Sequence, residues 1–233
     1  MTVTALASGG KDSLYAAYLA DTQGWPVDEL LTLRPADPES RMYHTPNLDL
    51  VELQARAWGK RHRSVPVAGT DDASELAALE AALGNDRGPV VVGAILSSFQ
   101  WARVVRVADR VGRRVYAPLW RVLPGRVVRE EIAAGLDIRL VQLAAEPLTS
   151  ELLGRSLDLT LVEEIERRGR TLRPVNVAGE GGEYETLVAD APFFRQRIEI
   201  DRSRAVVGPS SSRLVVEAAH LAAKGPSRAG RAT

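Results

Sequence analysis

The sequence predicts an α/β protein. A parallel sheet carries helices on both faces, and a smaller α/β unit completes it toward the C-terminus. Three observations point there. Strand-like and helix-like hydrophobic periods alternate through the first half of the chain, which is the pattern of successive βα units. A glycine-rich turn separates the first apolar run from the first helical run. Val90-Val91-Val92 is a continuous apolar stretch, of the kind buried on both faces of a parallel sheet.

The elements follow in order. Val3 to Leu6 reads as the first strand, and Leu14, Tyr15, Ala17 and Tyr18 open the first helix. Val27 to Leu33 is the second strand. Asn47 is placed to cap a helix bearing Leu50, Val51, Leu53, Gln54, Ala57 and Trp58. Ser64 to Val67 is the third strand. Asp71 and Asp72 precede a helix with Leu76, Leu79 and Leu83, stopped by Gly84. Pro89 to Ile95 is the fourth strand. Ser97 or Ser98 caps a helix with Trp101, Val104, Val105, Ala108 and Val111. Val115 to Ala117 is the fifth strand.

Composition changes after Pro118-Leu119-Trp120, and Leu123-Pro124-Gly125 reads as a turn between two units. The second unit has a helix near Val127 to Ala134, a strand near Ile138 to Leu143 and a helix near Leu157 to Arg168. Further strands are expected at Arg195 to Ile200 and Leu214 to Val216. The domains are therefore drawn at 1–122 and 123–221. Residues 222–233, polar and interrupted by glycine and proline, form a tail expected to be disordered.

The 233 residues carry 45% hydrophobic and 26% charged side chains, the balance of a soluble globular protein. Thirty basic residues offset thirty acidic ones, so no global field favours nucleic acid or an anionic membrane. There is no cysteine, which removes disulfides, thiolate metal sites and cysteine nucleophiles. No run approaches the roughly 20 apolar residues of a membrane span, and the first residues lack the pattern of a signal peptide. The expected location is the cytoplasm.

The turn itself, Ser8-Gly9-Gly10-Lys11-Asp12-Ser13, has the chemistry of a phosphate cradle. Glycines let the backbone approach an anion, and the N–H groups of a helix start point at it. Ser8 and Ser13 add hydroxyls, and Lys11 adds a compact positive charge. Only three of the 30 basic residues are lysine, so a lysine here signals a need for an ammonium rather than a guanidinium fork. The spacing is not that of a Walker A loop, because Asp12 follows Lys11 and Ala5 stands where the first glycine belongs. Ser-Gly-Gly-x-Asp-Ser instead resembles the PP-loop of ATP pyrophosphatases, which grips the pyrophosphate end of ATP and serves adenylation.

A second unusual stretch is Gly179-Glu180-Gly181-Gly182-Glu183-Tyr184-Glu185-Thr186, with three carboxylates and three glycines in eight residues. Glu183 and Glu185, two apart in an extended segment, should point to one side. Such a cluster calls for a nearby cation.

Together these stretches resemble the diphthine–ammonia ligases, or diphthamide synthetases, of the PP-loop group. The likeness extends over His44-Thr45-Pro46-Asn47, Gly93-Ala94-Ile95 with Ser97, Gln100 and Arg103, Ala117-Pro118-Leu119-Trp120, Leu153-Gly154-Arg155 and Asp190-Ala191-Pro192-Phe193-Phe194. It departs at Phe99 and Trp101, where the family usually has tyrosine and a basic residue. The resemblance implies an adenine nucleotide alpha hydrolase-like (HUP) fold, with an ATP-binding domain at 1–122 and a substrate-binding domain at 123–221. It implies an AMP-forming ligase that adenylates the carboxylate of diphthine on elongation factor 2 and amidates it with ammonia. ATP would rest on Ser8, Gly9, Gly10, Lys11, Asp12 and Ser13, with adenine near Leu33 and Gly93, and Mg²⁺ on Asp12. Lys11, Glu183 and Glu185 would be catalytic. His44, Asn47, Gln100, Arg103, Glu180 and Tyr184 would meet substrate. The three glutamates could hold ammonium, take its proton or meet the substrate's trimethylammonium group, and Tyr184 could face that same cation. A homodimer is compatible with the sequence; nucleic acid and membrane are not expected as partners. Two alternatives stand beside this reading. One is a bacterial-type ATP pyrophosphatase amidating another carboxylate. The other is an ATP-binding regulatory protein without turnover.

Overall fold

The computed structural model describes residues 1–35, 47–84, 86–171 and 174–225. Its centre is a five-stranded parallel sheet in the order β3-β2-β1-β4-β5, formed by Arg61–Pro66, Val27–Arg34, Val3–Leu6, Val90–Val91 and Val115–Tyr116 respectively. The chain winds outward from β1 to β3, then returns to the other side of β1 with β4. The strand order thus reverses between β1 and β4, and ligands bind such sheets beyond the strand ends at that reversal.

The two faces are covered separately. Alternation sends Leu30 of β2 to one face and Leu31 to the other. Leu30 packs with Leu14, Ala16 and Ala17 of α1 (Lys11–Thr22) and with Val51 and Ala55 of α2 (Leu50–Trp58). Leu31 and Leu33 pack with Leu79 and Leu83 of α3 (Asp72–Leu83) and with Val104 and Val107 of α4 (Ser98–Arg110). Alanines at 16, 17 and 20, all fully buried, let α1 lie close on the sheet. Asp71 caps α3 by accepting from the Ser74 N–H at 2.8 Å, and Ser97 caps α4 through Gln100.

The second unit is an antiparallel sheet in the order β7-β6-β9-β8, formed by Tyr184–Asp190, Asp137–Leu143, Ser212–Ala223 and Gln196–Val207. Helices α5 (Pro124–Ala133) and α6 (Leu159–Thr171) accompany it. Val127 and Val128 of α5, Ile165 of α6 and Ile138 of β6 belong to the same apolar cluster as Leu14 and Val51. The two units therefore share one core on the α1 face.

Several expected boundaries move. The fourth strand contributes only Val90 and Val91 to the ladder, because the chain leaves the sheet at Gly93 to pass over the start of α1. β3 begins at Arg61, three residues early; the charged run that hid it is an edge strand whose Arg63 pairs with Glu29 at 2.8 Å. β7 extends from Tyr184 to Asp190, a strand that is not among the elements expected from the sequence. β8 and β9 form a hairpin of twelve residues each, and β9 runs to Ala223, two residues into the expected tail. Residues 226–233 lie outside the described residues.

Candidate active site

The site forms where β1 ends and α1 begins. Gly9 has φ +81°, a left-handed conformation that favours glycine. The α1 N-cap, Gly10, offers no side-chain cap to the helix's first N–H groups. Ser8 and Ser13 hold the turn closed: their hydroxyls lie 3.3 Å apart, and Ser13 donates to the Gly10 carbonyl at 3.1 Å. Gly93, at the end of β4, approaches so closely that a Cβ there would stand 2.7 Å from the Asp12 backbone.

The turn is stitched to β7 from the other unit. The Val188 N–H donates to the Gly9 carbonyl at 3.1 Å, and the Lys11 N–H donates to Thr186 Oγ1 at 3.1 Å. Gln54, buried on α2, donates to both the Gly9 and Val188 carbonyls, at 2.9 and 2.8 Å. This brings the phosphate-type cradle against the acidic glycine stretch. A cavity of about 370 Å³ lies between them, lined by Ser8, Gly10, Lys11, Asp12, Gln100 and Gly179 to Gly182, with Tyr184, Glu185 and Thr186. A narrower apolar cavity of about 120 Å³ adjoins it, lined by Leu31, Leu33, Leu48, Val92, Gly93 and Val104 among others. Ser8, Asp12, Gln100 and Glu180 border both. One space is polar and beside a helix start; the other is apolar and lies at the strand ends.

Lys11 is 1% exposed, and its ammonium is turned inward. It donates to Asp12 Oδ1 at 2.7 Å and to the Ala178 carbonyl at 2.8 Å, with Glu131 Oε2 at 3.7 Å. Burial pulls its pKa down, but the charges of Asp12 and Glu131 more than reverse this, and the ammonium is held protonated. Glu131, on α5, is fully buried, and burial raises its pKa well above the ordinary value; Lys11 opposes that shift and Asp12 adds to it. Glu180 accepts from the Leu96 N–H at 2.8 Å, and its partial burial raises its pKa.

The structure separates Glu183 from Glu185. Glu183 precedes β7, beyond a left-handed Gly182, and its two oxygens accept from the Asn176 and Gly181 N–H groups at 3.0 and 2.8 Å. It is the pin of the loop, and a Cβ at Gly181 would stand 2.7 Å from its carboxylate. Glu185 lies in β7 and lines the larger cavity. Tyr184 is 2% exposed, donates to the Val177 carbonyl at 2.5 Å and places its ring 5.9 Å from the Lys11 ammonium. The cation facing Tyr184 is therefore Lys11, since burial closes the ring to anything larger.

Of the other expected residues, Leu33, Gly93, Gln100 and Glu180 reach the cavities. Arg103 turns away to Asp72 on α3 and lies on the Phe99 ring, 3.3 Å from its centroid. Asn47 has a left-handed φ of 59° and uses its side chain on β9, donating to the Leu214 carbonyl and accepting from the Val216 N–H, both at 3.0 Å. His44 lies outside the described residues. The sequence pattern assigns no site role to Glu131, Gln54, Thr186 or Leu48. Glu131 and Gln54 each carried a signal: a polar residue at helical spacing from apolar ones, Val127 and Val128 in one case, Leu50 and Val51 in the other.

Comparison with known proteins bears on this site directly. Residues 1–115 match the model for the diphthamide synthase N-terminal domain, and residues 124–216 match the model for its C-terminal domain. The chain belongs to the diphthamide synthase family. A curated relative from Danio rerio, named diphthine–ammonia ligase, is 34% identical over 89% of this chain and 89% of its own length. A relative of the same name from Homo sapiens is 32% identical, covering 89% of this chain and 85% of its own. A more distant solved structure, a predicted subunit of tRNA methyltransferase from Methanocaldococcus jannaschii, gives a TM-score of 0.45 at 15% identity, covering 82% of this chain and 98% of that one. The relatives are carbon–nitrogen ligases by name across most of the diphthamide synthase chain, and both loops that define the cavity fall within the matched regions. No helix among the described residues is long and apolar enough to cross a membrane.

Proposed function

We propose that this protein is an AMP-forming ligase that activates the carboxylate of diphthine on elongation factor 2 with ATP and amidates it with ammonia. One observation carries the reading: the Ser8–Ser13 turn and the Gly179–Thr186 stretch, 170 residues apart in sequence, line a single cavity. Both stretches fall within the residues matched by the two family models.

The two adjoining spaces divide the nucleotide. The apolar cavity by Leu33, Leu48 and Gly93 suits adenine. The N–H groups at the start of α1 other than that of Lys11, which Thr186 holds, suit the phosphates. The diphthine carboxylate oxygen attacks the α-phosphorus, and the bond from that phosphorus to the bridging oxygen breaks, releasing pyrophosphate. Ammonia then attacks the acyl carbon and loses a proton, and AMP leaves with the former carboxylate oxygen. Helix N–H groups stabilise the negative charge that develops on the departing phosphates. Glu180, whose proton affinity is raised by burial, and Glu185 stand on the acidic side of the cavity, where an ammonium is held and a proton accepted.

The donor set also suits Mg²⁺. Asp12 is 26% exposed and borders both spaces. Among the described residues no group of three or more acidic or histidine side chains forms a closed metal site. An Mg²⁺ here would thus be held by Asp12 together with substrate phosphates, as this ion commonly is. It would supply charge neutralisation at the phosphate oxygens.

The test is mass spectrometry of diphthine-bearing elongation factor 2 after incubation with the protein, ATP, Mg²⁺ and ammonium, with AMP counted in parallel. Conversion of carboxylate to carboxamide with equal AMP is the expected result. ATP binding without conversion would assign the site to another carboxylate; binding without AMP from any carboxylate would favour a regulatory protein.

A further inference from the structure

Resting on the nucleotide reading of this site, we infer that Glu131 is a positioning residue: it takes over the Lys11 ammonium when phosphates and their cation engage Asp12. Glu131 is fully buried on α5 and faces Asp12 and Lys11, yet neither carboxylate oxygen has a partner at hydrogen-bond distance among the described residues. Leaving a buried acceptor unsatisfied is costly, more so for an ionisable group. Its Oε2 stands 3.7 Å from Lys11 Nζ, just beyond bonding distance. The ammonium has three donors. Two serve Asp12 and the Ala178 carbonyl in this structure.

Asp12 meanwhile faces two ways. Its Oδ1 is held by Lys11 from inside, yet the side chain is 26% exposed and borders the cavity. A carboxylate cannot give its full charge to an incoming cation while an ammonium occupies it at 2.7 Å. Releasing it requires somewhere else for Nζ to go. A movement that closes 3.7 Å to the ~2.8 Å of a charge-assisted bond satisfies Glu131 and frees Asp12. The bond to the Ala178 carbonyl anchors the ammonium during that exchange, so the acidic loop stays in place.

The experiment uses the full chain and α,β-methylene-ATP, which is not cleaved at the reacting bond. Affinity is measured by titration calorimetry with and without Mg²⁺, for wild type, Glu131→Gln and Glu131→Asp, alongside thermal denaturation. Wild type is expected to gain affinity on adding Mg²⁺. Glu131→Gln should keep its Mg²⁺-free affinity within about twofold and lose about tenfold of the gain; Glu131→Asp, which keeps a carboxylate, should recover most of it. An unchanged gain in Glu131→Gln, or an equal loss with and without Mg²⁺, overturns the inference. A wild type that binds no analogue overturns the nucleotide reading itself. A crystal structure of the wild-type complex decides independently of any variant. Nζ within about 3.2 Å of Glu131 supports the exchange, and Nζ still on Asp12 refutes it.

Discussion

Lys11 Nζ donates to the Ala178 carbonyl at 2.8 Å, joining the first helix to the acidic glycine loop 167 residues later. The ammonium is therefore a strut of the cavity as well as a charge in it. Lys11→Ala should remove AMP formation by at least about a hundredfold and also lower the melting temperature, because it leaves Asp12 and Glu131 without their cation. Lys11→Arg should not restore activity, since a planar fork does not fit a space closed to 1% exposure. Quantifying AMP and following melting by circular dichroism on both variants checks this; an Arg variant with wild-type turnover would refute the strut.

Gly93 offers a purely steric test. A Cβ 2.7 Å from the Asp12 carbonyl carbon must push the start of α1 aside, and backbone cannot give cheaply. Gly93→Ala is expected to cost about 1–3 kcal/mol of stability and to weaken ATP-analogue binding about tenfold or more. Calorimetry with wild-type affinity would show that β4 does not set the cradle's shape.

The two glutamates of the acidic stretch should behave differently. Glu183→Ala strands the part-buried Asn176 N–H, at about 1–3 kcal/mol for a donor left without a partner, while the exposed Gly181 N–H turns to water. Lower melting temperature and faster proteolysis within residues 174–184 are expected. Glu185→Gln should lower melting less than Glu183→Ala does and reduce amide formation. Equal melting curves for the two variants would remove the distinction.

Glu180 gives a pH dependence with a definite sign. Burial raises its folded-state pKa above the ordinary 4.5, so the folded protein binds this proton more tightly than the unfolded chain. Its contribution to stability is then greatest at low pH and declines as pH rises from about 4.5 through the raised value. Glu180→Gln removes that decline. The difference in melting temperature between variant and wild type should grow in the variant's favour across this window. A difference that stays flat with pH would show that Glu180 titrates normally.

The residue sequence alone determined the parallel sheet, because alternating periods and Val-rich runs follow from burial on two faces. It also marked both loops of the site, because their chemistry is contiguous: glycines, hydroxyls, Lys11 and Asp12 in one stretch, glutamates and glycines in the other. What it did not reveal depends on residues distant along the chain. Glu183 and Glu185 lie two apart, yet the left-handed turn at Gly182 sends one into the loop's own backbone and the other to the cavity. Asn47 lies in a family-like segment, yet its amide is spent on β9. Lys11 sits in a phosphate-type turn, yet its partners in space are Ala178 and a glutamate from α5. Local periodicity reports which face is buried; only the packed tertiary structure decides which buried groups meet, because a charge removed from water is stable only with partners that close packing delivers.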